Sequence, residues 1–555
     1  MLLSVNITEK SFGSNVLYKN VVFDVQKDEK IGLIGRNGTG KSTLLNVISG
    51  DDIDFQGEIK IRKGAVVVVS RQEHHEFDSL TVLEYIQGDL PKYSELVHII
   101  DTYPDTMGES QRKIQEFSDA LVTFEELGYY QLEEEIKHAF SIYQLDDSLL
   151  HRTLGSLSGG QKRLVELIKV IRSRGNIALI DEPTNHMDYI AKESFIKWLK
   201  GARESALVIT HDRDVLAQVD RIIEIRDGVS LSFKGNYEAY LKVNKTNVTS
   251  EVTEYDLVQR RIKNLEEDVI RFQRMKERAN HPGTIKRFKF LEQKTRAELV
   301  ELKSAERPSF WIDQDSTVEM NSKLVKAYDK YKAKNIKVTT KQSDSATAGS
   351  LLISVSDLSL GYGDKPLFEG ITFSLHEGAR LRLHGRNGSG KSTIVKAILS
   401  QVKGTPLIPK SFSGYIDSVK GIKVGVYEQE ISERYLPLTL NGAVEQILRD
   451  KGLPISEQKV KQLLSDYLFN PNVDGEQIVQ KLSGGQKARL QLIDMLVDEP
   501  QVLILDEPTN HLDLPSIEEL ENALKKYKGA ILYISHDSYF SNKLDGETVL
   551  VTRIS

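Results

Sequence analysis

The segment GRNGTGKST at Gly35–Thr43 recurs as GRNGSGKST at Gly385–Thr393. A glycine-rich turn ending in Gly-Lys-Ser wraps phosphates with backbone N–H groups at the start of a helix. It needs a strand before it and a helix after it. Each copy is followed by the same ordered set: LSGGQ at Leu157–Gln161 and Leu482–Gln486, an apolar run closing on Asp-Glu, the string DEPTNH, and a lone histidine, His211 or His536. A chain that carries this order twice must fold as two α/β units.

Length agrees, because 555 residues exceed what one core supports and imply two or three domains. The units are expected over 1–240 and 350–555, with a linker over 241–349. Leu2–Ile7 and Leu351–Val355 read as opening strands. Lys30–Leu33 and Arg380–Leu383 run into the phosphate loops, and Leu44–Ser49 and Ile394–Leu399 read as the helices after them. Val66–Val69 and Ile422–Tyr427 are further strands. Ile177–Ile180, Val502–Leu505, Ala206–Ile209 and Ala530–Ile534 are apolar without alternation, the pattern of strands buried on both faces.

Composition closes off several chemistries. With no cysteine, disulfides, thiolate metal sites and cysteine nucleophiles are excluded. None of the 12 histidines forms an HExxH set, and no apolar run approaches membrane-spanning length. The opening residues lack the apolar stretch of a signal peptide, so a cytoplasmic protein without a membrane partner is expected. A formal charge of −6 disfavours non-specific nucleic-acid binding by the surface as a whole.

The copies differ in one place. Gln72 to Leu157 spans 85 residues but Gln429 to Leu482 only 53, so the first copy carries 32 more. They fall within Leu90–Leu145, where Phe117, Leu121, Phe124 and Leu127 have helical spacing. Such an insertion is either a surface excursion or an arm that touches a partner.

In the linker, Val258, Ile262, Leu265, Val269 and Phe272 recur at helical steps, and Phe288, Leu291, Thr295, Leu299 and Leu302 form a weaker returning seam. His281-Pro282-Gly283-Thr284 should stop the first helix, which predicts a hairpin over about 251–306. Arg271, Arg274, Lys276, Arg278, Lys286, Arg287 and Lys289 cluster at its tip against one acid, Glu277. A solvated coiled coil also carries charge, but here the charge gathers at one end, which fits a phosphate backbone. Lys330–Lys341 is a further basic stretch.

The loops assign a first set of site residues. Gly35, Asn37, Gly38, Gly40 and Thr43, with Gly385, Asn387, Gly388, Gly390 and Thr393, form the cradles. Lys41 and Lys391 should reach the β- and γ-phosphates, and Ser42 and Ser392 should hold Mg²⁺. Asp181 and Asp506 end strands where a carboxylate holds the magnesium, and Glu182 and Glu507 should act as general bases on water. An Asp-Glu pair after a strand can also merely cap a turn. His211 and His536 stand at matching strand ends. Gln72 and Gln429 should sense the γ-phosphate or its metal, and Phe12 and Tyr362 stack on adenine or belong to the core. Ser158, Gly159, Gly160 and Gln161, with Ser483, Gly484, Gly485 and Gln486, make a second phosphate-binding surface. It lies far from its own loop, which favours use across a pair with the nucleotide as glue.

These motifs resemble the ATP-binding-cassette proteins. The twin DEPTNH-x-D strings, Asp181–Asp188 and Asp506–Asp513, in a fused chain without membrane helices resemble the ABC-F family. The resemblance covers essentially the whole chain. It implies two tandem P-loop cassettes joined by an α-helical hairpin, ATP hydrolysis with Mg²⁺, and a monomer whose cassettes pair internally. It also implies a ribosomal partner, met through 23S rRNA, P-site tRNA and 50S proteins near the tRNA exit site, and no DNA. ATP binding would close the cassettes and hydrolysis would release the factor. Some members assist translation under stress, and others displace ribosome-targeting antibiotics; protection is the finer expectation here. A fused ATPase subunit of a membrane transporter is the alternative from another class.

The family implies composite sites. One would join Lys41, Ser42, Gln72, Asp181, Glu182 and His211 to Ser483–Gln486, and the other Lys391, Ser392, Gln429, Asp506, Glu507 and His536 to Ser158–Gln161. Three features depart from the family pattern. Met187 stands where leucine is usual, the arm is short, and the sequence ends at Ser555 without a basic C-terminal extension.

Overall fold

The structure is a computed structural model. It describes residues 1–13, 15–70, 75–106, 108, 110–173, 175–185, 187–304, 311, 325–326, 328, 349–362, 364–406, 409–428, 431–510 and 512–554. Gln72, Gln429 and the basic stretch 330–341 lie outside the described residues. The chain divides into two compact units, Met1–Tyr237 with Ile336–Ser555, and Glu238–Asn335.

The first unit holds both repeats. In the first repeat, a six-stranded sheet runs in the order Val229–Lys234, Arg221–Arg226, Lys30–Gly35, Ser205–Ile209, Ile177–Asp181, Val67–Val69. Apart from the hairpin at its edge, every pairing is parallel. Ile177–Asp181 and Ser205–Ile209 are buried at every position, as unalternating apolar runs require when helices cover both faces. The second repeat gives a fully parallel five-stranded sheet, Val424–Tyr427, Val502–Asp506, Ala530–Ile534, Arg380–His384, Glu547–Leu550. Beside each lies an antiparallel sheet, centred on Leu3–Phe12 in one repeat and Leu351–Gly361 in the other. There Leu3, Val5 and Ile7 point into the core while Asn6 stays exposed, the two-residue period of a half-buried strand.

The expected insertion is helical. Tyr93–Thr106 and Gln111–Glu126 pair, and Leu132–Tyr143 follows. Phe124 is buried and anchors the pair, its ring 5.8 Å from Tyr93 and 5.3 Å from Tyr129.

The second unit is built on helices Tyr237–Arg278 and Pro282–Ser304. Leu265 and Val269 of the first seam are buried, and Val258, Ile262 and Phe272 are half-buried. Ion pairs Arg261–Glu298 at 2.8 Å, Lys276–Glu292 at 2.6 Å and Lys303–Glu266 at 2.5 Å tie the two helices together. The break falls before the proline. Pro282 opens the second helix, where its missing N–H and fixed φ cost nothing. Lys286, Arg287 and Lys289, expected at the hairpin's tip, lie in the first turns of that helix. Among the described residues no helix is long and apolar enough to cross a membrane.

Candidate nucleotide sites between the repeats

Both phosphate loops sit where a buried strand turns into a helix. Gly40 and Gly390 cap helices Lys41–Ser49 and Lys391–Lys403 with left-handed backbones, φ 91° and 100°. The loop lysines are buried and fold back on the loop. Lys41 Nζ donates to Gly35 O at 2.8 Å and Arg36 O at 3.1 Å, and Lys391 Nζ to Gly385 O at 2.7 Å and Arg386 O at 2.8 Å. Burial lowers the pKa of both ammonium groups, against the pull of Glu182 on Lys41 and of Glu507 on Lys391.

Glu182 and Glu507 follow the buried strands with left-handed backbones of their own, φ 45° and 49°. A left-handed glutamate is strained and persists only where its surroundings impose it. Here the next strand does so, because Glu182 N donates to Ile209 O at 2.8 Å and Glu507 N to Ile534 O at 2.9 Å. His211 Nε2 lies 3.6 Å from Glu182 Oε1, and His536 Nε2 lies 3.5 Å from Glu507 Oε1. Burial, followed by the adjacent Asp181 or Asp506, pushes the carboxyls up to about 8 for Glu182 and about 7 for Glu507. Burial, then the loop lysines, hold both imidazoles at about 3, so they are neutral.

The LSGGQ segments are capping boxes. Gln161 N donates to Ser158 Oγ at 3.3 Å while Ser158 N donates to Gln161 Oε1 at 3.0 Å, and Ser483 and Gln486 repeat both bonds at the same distances. The serine and glutamine lock the turn, leaving the first-turn N–H groups of the two glycines for an anion. Replacing Ser158 or Ser483 by alanine is expected to destabilise its helix by about 1 kcal/mol, seen as a lower melting temperature without nucleotide.

A cavity of roughly 1730 Å³ brings residues of both repeats together. Its lining includes Glu182, His211, Asn37, Gly38, Ser42, Gly159, Gly160 and Gln161 from the first repeat and Glu507, His536, Asp506, the second loop, Ser483, Gly484 and Gly485 from the second. Phe12 and Tyr362 do not line it; Phe12 is exposed at the end of its strand and Tyr362 just beyond the end of Leu351–Gly361, and Lys10 Nζ sits 4.9 Å from the Phe12 ring centroid.

Contacts across the repeats seat one on the other. Asp188 accepts from Ala191 N at 2.9 Å, capping its own helix, and with its other oxygen from Asn387 N at 3.2 Å and Arg386 Nε at 3.3 Å. Asp513 mirrors it, accepting from Ser516 N at 3.1 Å and Asn37 N at 3.0 Å. The sequence reading did not assign these aspartates. The available signal was an Asp just before a helix in both copies, an N-cap pattern.

The residues present fit a magnesium nucleotide. Ser392 Oγ lies 2.8 Å from Asp506 Oδ2, a hydroxyl and a carboxylate suited to a hard cation. Glu507 Oε1, His536 Nδ1 and both ring nitrogens of His211 are buried without a hydrogen-bond partner. Such atoms in a cavity wall call for a polar occupant.

The sequence model of the ABC transporter family matches residues 18–185 and 368–510. The Bacillus subtilis ATP-binding protein YdiF is 31% identical across 98% of this chain and 79% of its own. The ribosome protection protein VmlR of Bacillus subtilis is 26% identical across 99% and 86%. ABC transporter F family member 5 of Arabidopsis thaliana is 27% identical across 98% and 74%. Among solved structures, an archaeal ribosome recycling factor, aABCE1, bound to ribosomal stalk protein aP1 superposes with a TM-score of 0.55 at 18% identity, over 98% of this chain and 86% of that one. At that identity the likeness is one of fold.

Proposed function

The chain belongs to the ABC-F family of tandem ATP-binding-cassette ATPases, and on that footing we propose that it is a ribosome-binding ATPase that protects ribosomes against antibiotics. ATP binds at the two composite sites and closes the cassettes. Ser42, Asp181, Ser392 and Asp506 would hold Mg²⁺, which when bound would neutralise phosphate charge. Glu182 and Glu507 take the proton of the attacking water, and His211 and His536 face them. The helical hairpin meets RNA near the P-site tRNA and the peptidyl-transferase centre.

The observation that carries this reading is the tip of the hairpin. Arg271 pairs with Asp268 at 2.9 Å, and Lys276 with Glu292. Arg274, Arg278, Lys286, Arg287 and Lys289 have no ion pair among the described residues. They stand beside an exposed His281 and an exposed Phe290, a ring able to stack on a base. Unneutralised cations beside a free aromatic face, on a chain of net negative charge, suit single-stranded or looped RNA. The whole-length likeness to a ribosome protection protein supports the same partner. A transporter subunit would leave the tip without a task.

Changing Arg274, Lys286, Arg287 and Lys289 together to glutamate is expected to abolish co-sedimentation with ribosomes, while ATP affinity without ribosomes stays at the parent level. Co-sedimentation at the parent level would remove the hairpin from the interface. Expression in a sensitive bacterium, tested against drugs of the peptidyl-transferase centre and exit tunnel, separates protection from general translation: raised resistance to at least one drug is expected, and unchanged susceptibility throughout would assign the chain to the second role.

A further inference from the structure

The two sites have matching motifs, yet their surroundings differ in charge. Lys192 lies four residues after Asp188, on helix Tyr189–Gly201 of the first cassette. It is buried and lines the nucleotide cavity. Its ammonium group pairs with Asp212 at 2.8 Å and with Asp214, and donates to the backbone carbonyl of His536 in the second cassette at 3.1 Å. The N–H of that same His536 donates to Glu507 Oε2 at 3.3 Å. Lys192 thus grips one end of a residue whose other end holds the general base.

The grip is reinforced by a buried ionic cluster that crosses the cassettes. Arg213 bonds Glu521 with both terminal nitrogens and Asp537 at 3.1 Å. Ser538 donates to Asp214, and Lys543 pairs with Glu521 at 3.0 Å. Asp537 caps its own helix through Phe540 N at 3.0 Å, so the segment after His536 is fixed from two directions.

The first site lacks the corresponding residues. The position four after Asp513 is Ile517, which has no polar atom to offer the His211 carbonyl. Where the first cassette has Arg213 and Asp214 after its histidine, the second has Ser538 and Tyr539. Neighbouring packing differs the same way. Tyr189 lies against His384, ring centroids 4.7 Å apart, at the entry to the second phosphate loop, and the matching positions are Leu514 and Ile34.

We propose that Lys192 is a positioning residue for the second ATP site alone, holding the His536 peptide and through it Glu507 in register with the Asp188 contact to Asn387. Helix Tyr189–Gly201 begins at that aspartate, so one rigid element sets both the second phosphate loop and the second base. Among the described residues no cation meets the His211 carbonyl, and the first base is held differently, Arg163 donating to Glu182 O at 3.4 Å where the second copy has Ala488, so the two sites are chemically unequal although their catalytic motifs match.

The assignment rests on Glu182 and Glu507 each serving one site, so each is removed in turn. Glu182→Gln leaves the second site to be read, and Glu507→Gln leaves the first. Single-turnover hydrolysis of Mg-ATP is measured in both backgrounds with and without Lys192→Gln in the full chain. A fall of about tenfold or more is expected in the Glu182→Gln background, as for loss of a buried charge-assisted hydrogen bond. Less than about a twofold change is expected in the Glu507→Gln background, which also certifies folding. Lys192→Arg should restore the lost rate. Equal falls in both backgrounds would mark Lys192 as a general interface residue and overturn the proposal, and no fall at the second site would overturn it too. Should Lys192→Gln fail to melt cooperatively, Lys192→Gln with Asp214→Asn, which removes one charge of each sign, is read by the same criteria. The double glutamine chain with Lys192 intact tests the premise separately: hydrolysis persisting there removes the glutamates from the base role, whatever Lys192 does.

Discussion

Replacing Glu182 and Glu507 together by glutamine is expected to lower steady-state ATP hydrolysis by about a hundredfold or more while leaving ATP binding intact. Glutamine fills the same volume and accepts the same backbone bond, but it cannot take a proton from water. The closed state would then persist, and the variant should remain on ribosomes in ATP where the parent leaves. Turnover at the parent rate would take these residues out of the base role. The same variant carries a pH signature without nucleotide or metal. Both carboxyls sit in the folded chain above their ordinary value. The folded state therefore holds protons that the unfolded state gives up between about pH 4.5 and the folded values, and the parent loses stability as pH rises through that window. Glutamine has no proton to lose. The melting temperature of the variant should gain on the parent from about pH 5 to pH 8. A constant difference across that range would mean the carboxyls are ionised throughout.

What the sequence disclosed and what it concealed divide by range. The parallel strands were legible because a strand buried on both faces has a composition of its own, and Ala530–Ile534 has the bounds the apolar run suggested. The phosphate loops were legible because each is one continuous segment. The LSGGQ capping box is written in Ser and Gln three apart, and the two glycines between them carry the anion-binding signal as well. The left-handed glutamates leave no local trace, since nothing in their residue type asks for positive φ; the neighbouring strand imposes it. Contacts made by Asp188, Lys192 and Arg213 join residues 199 to 344 positions apart. No periodicity reports such pairs. The basic tip was legible as a count but not as free charge, because Glu292, one turn beyond it, engages Lys276.

Gly390→Ala and Gly40→Ala are each expected to lower ATP affinity at their own site by about thirtyfold or more. Each residue must adopt a left-handed backbone to turn the loop into its helix, which costs any L-residue about 1–2 kcal/mol. Each is also crowded. A Cβ on Gly390 would stand 2.5 Å from Phe368 Cδ1, in a ring that is fully buried. One on Gly40 would meet Leu17 Cδ2 at 2.6 Å and the Tyr18 hydroxyl at 2.7 Å. Leu17 is half-buried and can turn aside, but Tyr18 is fully buried with its hydroxyl donating to Gly40 O, so it, like the Phe368 ring, can move only by disturbing the core. Overpacking adds about 1–3 kcal/mol, and the loop can escape it only by shifting the N–H groups meant for phosphate. Gly38 and Gly388 provide the contrast. They are left-handed as well, φ 86° and 74°, but a Cβ on Gly38 meets nothing within 4 Å, and one on Gly388 finds only Arg553 at 3.7 Å. Alanine there should cost the backbone strain alone. Nucleotide-free melting and ATP titration of the four variants decide the matter. If all four lose the same affinity, close approach of phosphate governs the loop, and the packing beneath Gly40 and Gly390 is incidental to binding.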